Sequence, residues 1–197
     1  MPGAPTPRPG ERLARYRAKR ELVTSGEPQG RAGRRRSGRA PRFVIQEHAA
    51  RSLHFDLRLE VDGVLRSWAV PKGPTTDPRE KRLAVEVEDH PLDYIDFEGV
   101  IPAGYGAGEV IVWDTGTYRS LTEGSVADAL AAGHLSFWLD GRKLRGGWTL
   151  QRTRAGEKPQ WLWIKRRDEG ADARRRPVRT QPESVRSGRT VEDLADR

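Results

Sequence analysis

The stretch His54-Phe55-Asp56-Leu57-Arg58-Leu59-Glu60-Val61 alternates polar and apolar side chains without a break. Successive side chains of a strand point to opposite faces. Phe55, Leu57, Leu59 and Val61 therefore share one face, and His54, Asp56, Arg58 and Glu60 share the other. Asp62-Gly63 follows, a dipeptide suited to a two-residue hairpin turn, and leads into the run Val64–Val70. This strand–turn–strand unit predicts antiparallel pairing.

The same signals recur outward from it. Phe43–Gln46 is a short apolar run. Leu83, Val85 and Val87 alternate with Ala84, Glu86 and Glu88, and Glu109–Trp113 is a compact strand after a glycine-rich loop. Leu135–Leu139, the turn Asp140-Gly141, Leu144–Gln151 and Trp161–Lys165 continue the series. One short helix is expected, Val126–Ala132, with Ser125 as its N-cap and Gly133 ending it. About eight or nine strands at this spacing predict an all-β, mainly antiparallel sandwich or small barrel. The strands that carry Trp148, Trp161 and Trp163 are read as closing elements whose aromatics keep one partly buried side.

Charge divides the chain of 197 residues. Residues 1–42 hold 12 Lys/Arg against 3 Asp/Glu, residues 43–164 hold 14 against 18, and residues 165–197 hold 10 against 7. The basic character thus lies in the ends. Arg31, Arg34, Arg35, Arg36, Arg39 and Arg42 sit among glycines without apolar periodicity, so the segment 1–42 reads as a basic, partly mobile arm. Such an arm suits a phosphate polyanion or serves as a solubilising tail. The folded unit is expected over 43–167 and a polar, extended tail over 168–197. Zero cysteines exclude disulfides, iron–sulfur clusters and a thiol nucleophile. No apolar run approaches the ~20 residues that span a bilayer. A cytoplasmic protein without a membrane partner, nucleoid-associated when on DNA, is the expectation.

The polar face of His54–Glu60 carries the chemistry. Period-2 geometry sets His54, Asp56 and Arg58 side by side at steps of ~7 Å. An imidazole and a carboxylate there can ligate a divalent ion, and the guanidinium can grip a phosphoryl oxygen. His48, entering from the preceding turn, makes a two-His, one-carboxylate set with positions left open for water and substrate. The competing reading is a hydrogen-bonded His-x-Asp pair on a solvated surface. His90, held out of helical conformation by Pro91, falls at a strand end where it can donate to a phosphoryl oxygen or protonate a leaving group, with Tyr94 as a second donor. It serves equally as a turn histidine bonded to a backbone carbonyl. Lys72 and Arg82 either converge on the same anion or are surface charges. Gly104-Tyr105-Gly106-Ala107-Gly108 lacks the Gly-Lys-Ser/Thr ending of a nucleotide P-loop and reads as a tight, aromatic-bearing loop beside the site. His134 is assigned a structural role.

Four segments together resemble the 3′-phosphoesterase domain of bacterial DNA ligase D. They are Gln46-Glu47-His48-Ala49-Ala50-Arg51-Ser52-Leu53-His54-Phe55-Asp56-Leu57-Arg58-Leu59-Glu60, Ser67-Trp68-Ala69-Val70-Pro71-Lys72-Gly73-Pro74, Glu88-Asp89-His90-Pro91-Leu92-Asp93-Tyr94 and Phe97-Glu98-Gly99-Val100-Ile101-Pro102. The likeness runs from about Tyr16 to Lys165. It implies a compact β-barrel and a manganese-dependent enzyme, or one using another divalent transition metal, that heals 3′ ends. Such an enzyme removes a terminal 3′ ribonucleoside and then the remaining 3′-phosphate. The resemblance makes His48, His54 and Asp56 the metal ligands and gives Arg58, His90 and Tyr94 phosphate-contacting and catalytic roles. It makes Gln46, Lys72, Arg82 and Glu88 a supporting shell. Arg20, Glu21 and Glu27, on an approach segment at 16–28 that packs near the site, serve mainly the second step. Glu21 stands where the family pattern has aspartate, an exchange that retains the first reaction while weakening the second. The implied partners are the 3′ ends of DNA or RNA–DNA primer–templates, with ligase, polymerase and end-joining proteins as associates of a free-standing or excised domain. Two rival functions remain: a non-catalytic nucleic-acid-binding barrel, and a phosphodiesterase for small cyclic or nucleotide substrates.

Overall fold

Among the described residues the alternating runs form nine strands: β1 (Arg42–Ala49), β2 (Leu53–Val61), β3 (Val64–Val70), β4 (Lys81–His90), β5 (Gly99–Ile101), β6 (Gly108–Ser120), β7 (His134–Gly141), β8 (Arg145–Arg154) and β9 (Gln160–Lys165). The structure is a computed structural model and describes residues 8–30 and 38–196. Every pairing is antiparallel, in the order β1-β2-β3-β4-β9-β8-β7-β6-β5, and β1 also pairs with β6. That pairing closes eight strands into a barrel and leaves β5 as an outer strand on β6. The β2–β3 hairpin turns where expected. Asp62 and Gly63 both take positive φ, 48° and 82°, so Val61 pairs with Val64. Closure falls to β1 and β6 rather than to the tryptophan strands. Trp148, Trp161 and Trp163 are wholly buried inside the barrel with Trp68 and Trp113. This core also takes in Phe43, Ile45, Phe55, Leu57 and Leu59. At about 1.5–3 kcal/mol for each buried Leu, Ile or Phe, it is the main source of stability.

The opposite face of β1 and β2 is covered too. Tyr16, Val44, Leu65, Tyr94, Ile95 and Val112 form a second apolar cluster on the outside of the wall, under the N-terminal segment and the 3₁₀ turn Leu92–Asp96. The polar face of β2 is therefore no solvated surface: Asp56 and Arg58 are buried. The helix Val126–Ala132 has the expected caps. Ser125 Oγ accepts from the Asp128 amide at 3.0 Å, and Gly133 is left-handed. Among the described residues it has company in short helical turns at Pro9–Arg12, Ala14–Ala18, Leu22–Ser25, Leu92–Asp96, Pro177–Thr180 and Val191–Ala195.

Where the structure describes them, both ends dock on the barrel. Leu13 and Tyr16 have no exposed surface, and the Arg12 guanidinium meets Asp89 at 2.9 Å. Arg31, Arg34, Arg35 and Arg36 lie outside the described residues. The segment after Asp168 is not an extended tail. Asp168 accepts from the buried Lys165 ammonium and the Gly147 amide, the Trp113 indole donates to the Gln181 carbonyl at 2.8 Å, and Val191 and Leu194 bury against Ile111. A few apolar residues between the arginines suffice to dock the described parts of both ends. No helix among the described residues is long and apolar enough to cross a membrane.

Candidate functional site

His48 enters from the end of β1 itself, not from the turn after it. The β1–β2 register sets it directly opposite His54, and sets Gln46 opposite Asp56. His48, His54, Asp56 and Arg58 project from the outer face of the wall into a cavity of about 230 Å³. The N-terminal segment roofs it with Arg20 and Glu27, the β5–β6 loop supplies Tyr105 and Gly106, and β4 adds Glu88 and His90.

The two imidazoles are oriented by the backbone. The Gly106 carbonyl lies 2.7 Å from His48 Nε2 and the Ser52 carbonyl 3.0 Å from His54 Nδ1. A carbonyl only accepts, so these nitrogens carry the protons, and His48 Nδ1 and His54 Nε2 keep their lone pairs. Each free nitrogen stands 3.7 Å from one oxygen of Asp56. One ligand atom from each of the three residues lies within 4.8 Å of the others. Ligands at ~2.1 Å from a shared ion are ~3.0–3.5 Å apart, so this spacing needs only a small closure. Burial alone would raise the Asp56 pKa. The Arg58 guanidinium, 3.0 Å away, outweighs it and holds the carboxyl well below the usual range, ionised as a ligand must be. Two nitrogens and one carboxylate suit a divalent transition ion.

Beside the triad, Arg58 is held by two hydrogen bonds and lies against His90. Its Nε donates to Gln46 Oε1 at 2.7 Å, its Nη2 to Asp56 at 3.0 Å, and its Nη1 approaches His90 Nδ1 at 3.1 Å. Gln46 is pinned in turn, donating to the Tyr94 and Phe97 carbonyls. His90 Nδ1 lies 2.9 Å from the Glu88 carbonyl, which fixes the proton there, and Nε2 accepts from Arg20 Nη2 at 3.1 Å. Burial and the flanking Arg58 and Arg20 push the His90 pKa well below its ordinary value, so the ring is neutral. Tyr16 and Tyr94 pack edge-on against it. His90 reaches the cavity through a bulge. Leu65–Ser67 on β3 face His90–Val87 on β4, so one extra residue in β4 switches faces and brings Glu88 and His90 to the side of Val87.

Arg20 joins the roof to this centre. Its Nε and Nη1 bridge Glu27 and Glu88, each at 2.9 Å, and all three side chains are buried. Tyr94 donates to Glu27 Oε1 at 3.0 Å. The structure thus gathers His48, His54, Asp56, Arg58, His90, Tyr94, Glu88, Arg20 and Glu27 around one cavity, with Gln46 behind Arg58. Three expected residues lie elsewhere. Glu21 is exposed, beginning the helical turn Leu22–Ser25. Lys72 and Arg82 line a separate cleft, and Arg82 is bound to Glu80 and the Gly73 carbonyl. His134 bonds to Gln151 on the surface, in keeping with a structural role. Residue reading missed Tyr16 and Lys19, whose ammonium meets Glu88 at 2.9 Å and the Tyr105 ring. Only their place within the approach segment marked them.

The fold and site describe a closed barrel carrying a metal-ligand triad beside a histidine held between two arginines. Residues 46–152 match the DNA Ligase D 3′-phosphoesterase domain family. The chain belongs to that family. It is 51% identical to the Multifunctional non-homologous end joining protein LigD of Pseudomonas aeruginosa over 183 residues, covering 91% of this chain and 22% of the relative. The Mycobacterium tuberculosis protein of similar name is 46% identical over 77% of this chain, and the Mycolicibacterium smegmatis one 40% over 81%. The chain spans about a fifth of the length of these relatives.

Proposed function

We propose that the protein is a metal-dependent phosphoesterase that heals 3′ ends of primer strands for end joining. It removes a terminal ribonucleoside and then the 3′-phosphate to leave a 3′-OH. The observation that carries this reading is the convergence of His48 Nδ1, His54 Nε2 and Asp56 next to the Arg58–His90 pair. Manganese is the ion we assign to His48, His54 and Asp56; when bound it supplies charge neutralisation at the phosphate and lowers the pKa of a coordinated water.

The chain's own groups do the rest. Arg58, steadied by Gln46, and Arg20 offer N–H donors from opposite sides of His90, a cradle for the phosphoryl oxygens. His90 is neutral before substrate arrives, so it first accepts the proton that the attacking water gives up as its oxygen bonds to phosphorus. A phosphate seated between the guanidiniums offsets their charge and raises its basicity, after which it donates to the leaving oxygen. Tyr94 holds Glu27 in place, and Glu27 with Glu88 holds Arg20. The exposed Glu21 supports a weakened second step. The names of the relatives support end-joining associates, and action on DNA in the cytoplasm follows from the same reading.

The test is a labelled primer–template ending in one ribonucleotide, incubated with and without manganese and resolved for 3′ products. Stepwise appearance of 3′-phosphate and 3′-OH ends only with metal is the expected result. Salt-dependent binding with no product would leave a nucleic-acid-binding barrel instead.

A further inference from the structure

A second cleft, of about 140 Å³, lies between the β3–β4 connection and the C-terminal segment. Lys72, Arg82, Arg175, Arg176 and Arg179 line it, and none of them lines the cavity of the metal triad. Surface cations are usually just solvated. Three observations set these apart. The segment is docked, because Thr76 donates to the Asp172 carbonyl at 2.7 Å and Val178 packs on Gly73, 3.1 Å from where a Cβ would stand. Arg175 is held in place, its Nη2 donating to the Lys143 carbonyl and to Gln181 Oε1, both at 2.7 Å. Compensation is short: Glu80 meets Arg82 at 2.9 Å and Arg176 at 3.9 Å, while no hydrogen bond or ion pair engages the Lys72 or Arg179 side chain among the described residues. Five cations thus face Glu80 and, beside Arg176, Asp77, which leaves the cleft net positive and suited to an anion.

The cleft adjoins the metal corner of the first cavity. Ala69 lines that cavity, and Lys72 follows three residues later. Phe55 pairs with Val70, so extending the register by one step brings Pro71 beside His54. β3 ends at Val70, and a turn closed by the Gly73 amide on the Val70 carbonyl at 3.1 Å carries Lys72 round to the cleft; three residues of chain reach at most ~10 Å, a span matched by up to about three nucleotides at ~3.4 Å each.

We propose that this cleft binds the sugar–phosphate backbone two or three nucleotides upstream of the 3′ end whose terminus occupies the metal cavity. The inference rests on the proposed function and makes the C-terminal segment part of the nucleic-acid interface. Arg176 and Arg179 are exposed, so an Arg176→Gln/Arg179→Gln chain retains the fold.

The experiment has two arms, both on the full chain. In the first, binding of a fluorescent primer–template to wild type and to this double variant is measured without metal across a salt series. The slope of log affinity against log salt is expected to become shallower by about 0.9 for each phosphate that the variant no longer neutralises. In the second, manganese-supported cleavage is compared on that primer–template and on a dinucleotide too short to reach the cleft. KM rises several-fold on the long substrate only. An unchanged slope, or an equal loss on both substrates, overturns the proposal. A wild-type chain that binds with the expected slope yet yields no product defeats the functional reading while leaving the binding result intact.

Discussion

His48 and His54 face each other across the β1–β2 ladder with ring centroids 4.8 Å apart, each ring bonded to a backbone carbonyl on its far side. Outer partners of this kind fix the tautomer and aim the free nitrogens at one point. Replacing either histidine with Ala is expected to lower metal-dependent cleavage at least ~100-fold, beyond what loss of an outer partner costs. The circular dichroism spectrum stays unchanged. In wild type, manganese at ~100 times its Kd stabilises by about 2.7 kcal/mol, read as a rise in Tm, and the variants lose that rise. A His54→Ala chain that melts higher with manganese as wild type does would refute the ligand assignment.

Gln46 acts through Arg58. Gln46→Leu leaves the buried Arg58 Nε without its acceptor, at a cost of about 1–3 kcal/mol of stability. Because the guanidinium loses its aim, kcat is expected to fall more than KM rises, with metal-induced stabilisation retained. Loss of that stabilisation would place Gln46 in the metal site instead.

Arg20 is the cation between two buried carboxylates. Arg20→Ala leaves the buried Glu27 without a cation and Glu88 with Lys19 alone, and breaking such a buried pair costs about 3–5 kcal/mol. Arg20→Lys recovers part of it. Urea unfolding of the two variants decides; equal stabilities would show that the pairing contributes nothing.

His90 sets a pH dependence of stability. The folded chain holds the ring neutral, whereas an unfolded histidine protonates near pH ~6.5. The unfolded state therefore binds more protons below that value, and stability falls as the pH drops through it. His90→Gln should flatten this fall between about pH 7 and 5 in urea titrations. A curve parallel to wild type would count against it.

Glu47 has the opposite sign. It is buried, and its Oε2 has no hydrogen-bond partner among the described residues; burial and the Glu192 carboxylate push its pKa up to about 7, against the pull of Lys143. The folded state keeps a proton that the unfolded chain releases, so stability is full below pH ~4.5 and declines as the pH rises through about 7. Glu47→Gln is expected to stabilise at pH ~8, by up to about 3 kcal/mol, and to change little at pH ~5. Equal effects at both would remove titration as the cause.

Much of this molecule is written locally. The Phe55–Val61 alternation, the Asp62-Gly63 turn and the caps of Val126–Ala132 each depend on residues within a few positions of one another, and all appear as read. His54, Asp56 and Arg58 were legible for the same reason, since a two-residue period sets them on one face whatever surrounds the strand. Other features depend on remote partners. The bulge that turns Glu88 and His90 toward the cavity appears only against Leu65 and Ser67. Lys72 and Arg82, grouped with the site by resemblance, are drawn into a cleft that the C-terminal arginines complete.

By itself, the sequence determined the strands, the hairpin and the identity of the residues on the polar face of β2. Tertiary structure alone decided that this face is roofed, that Arg20 lies against His90 and that β1 closes on β6. The physical reason is range. Backbone periodicity is set by neighbours along the chain, whereas burial, closure and the meeting of Arg20 with Glu88 depend on which surfaces bury the most apolar area together.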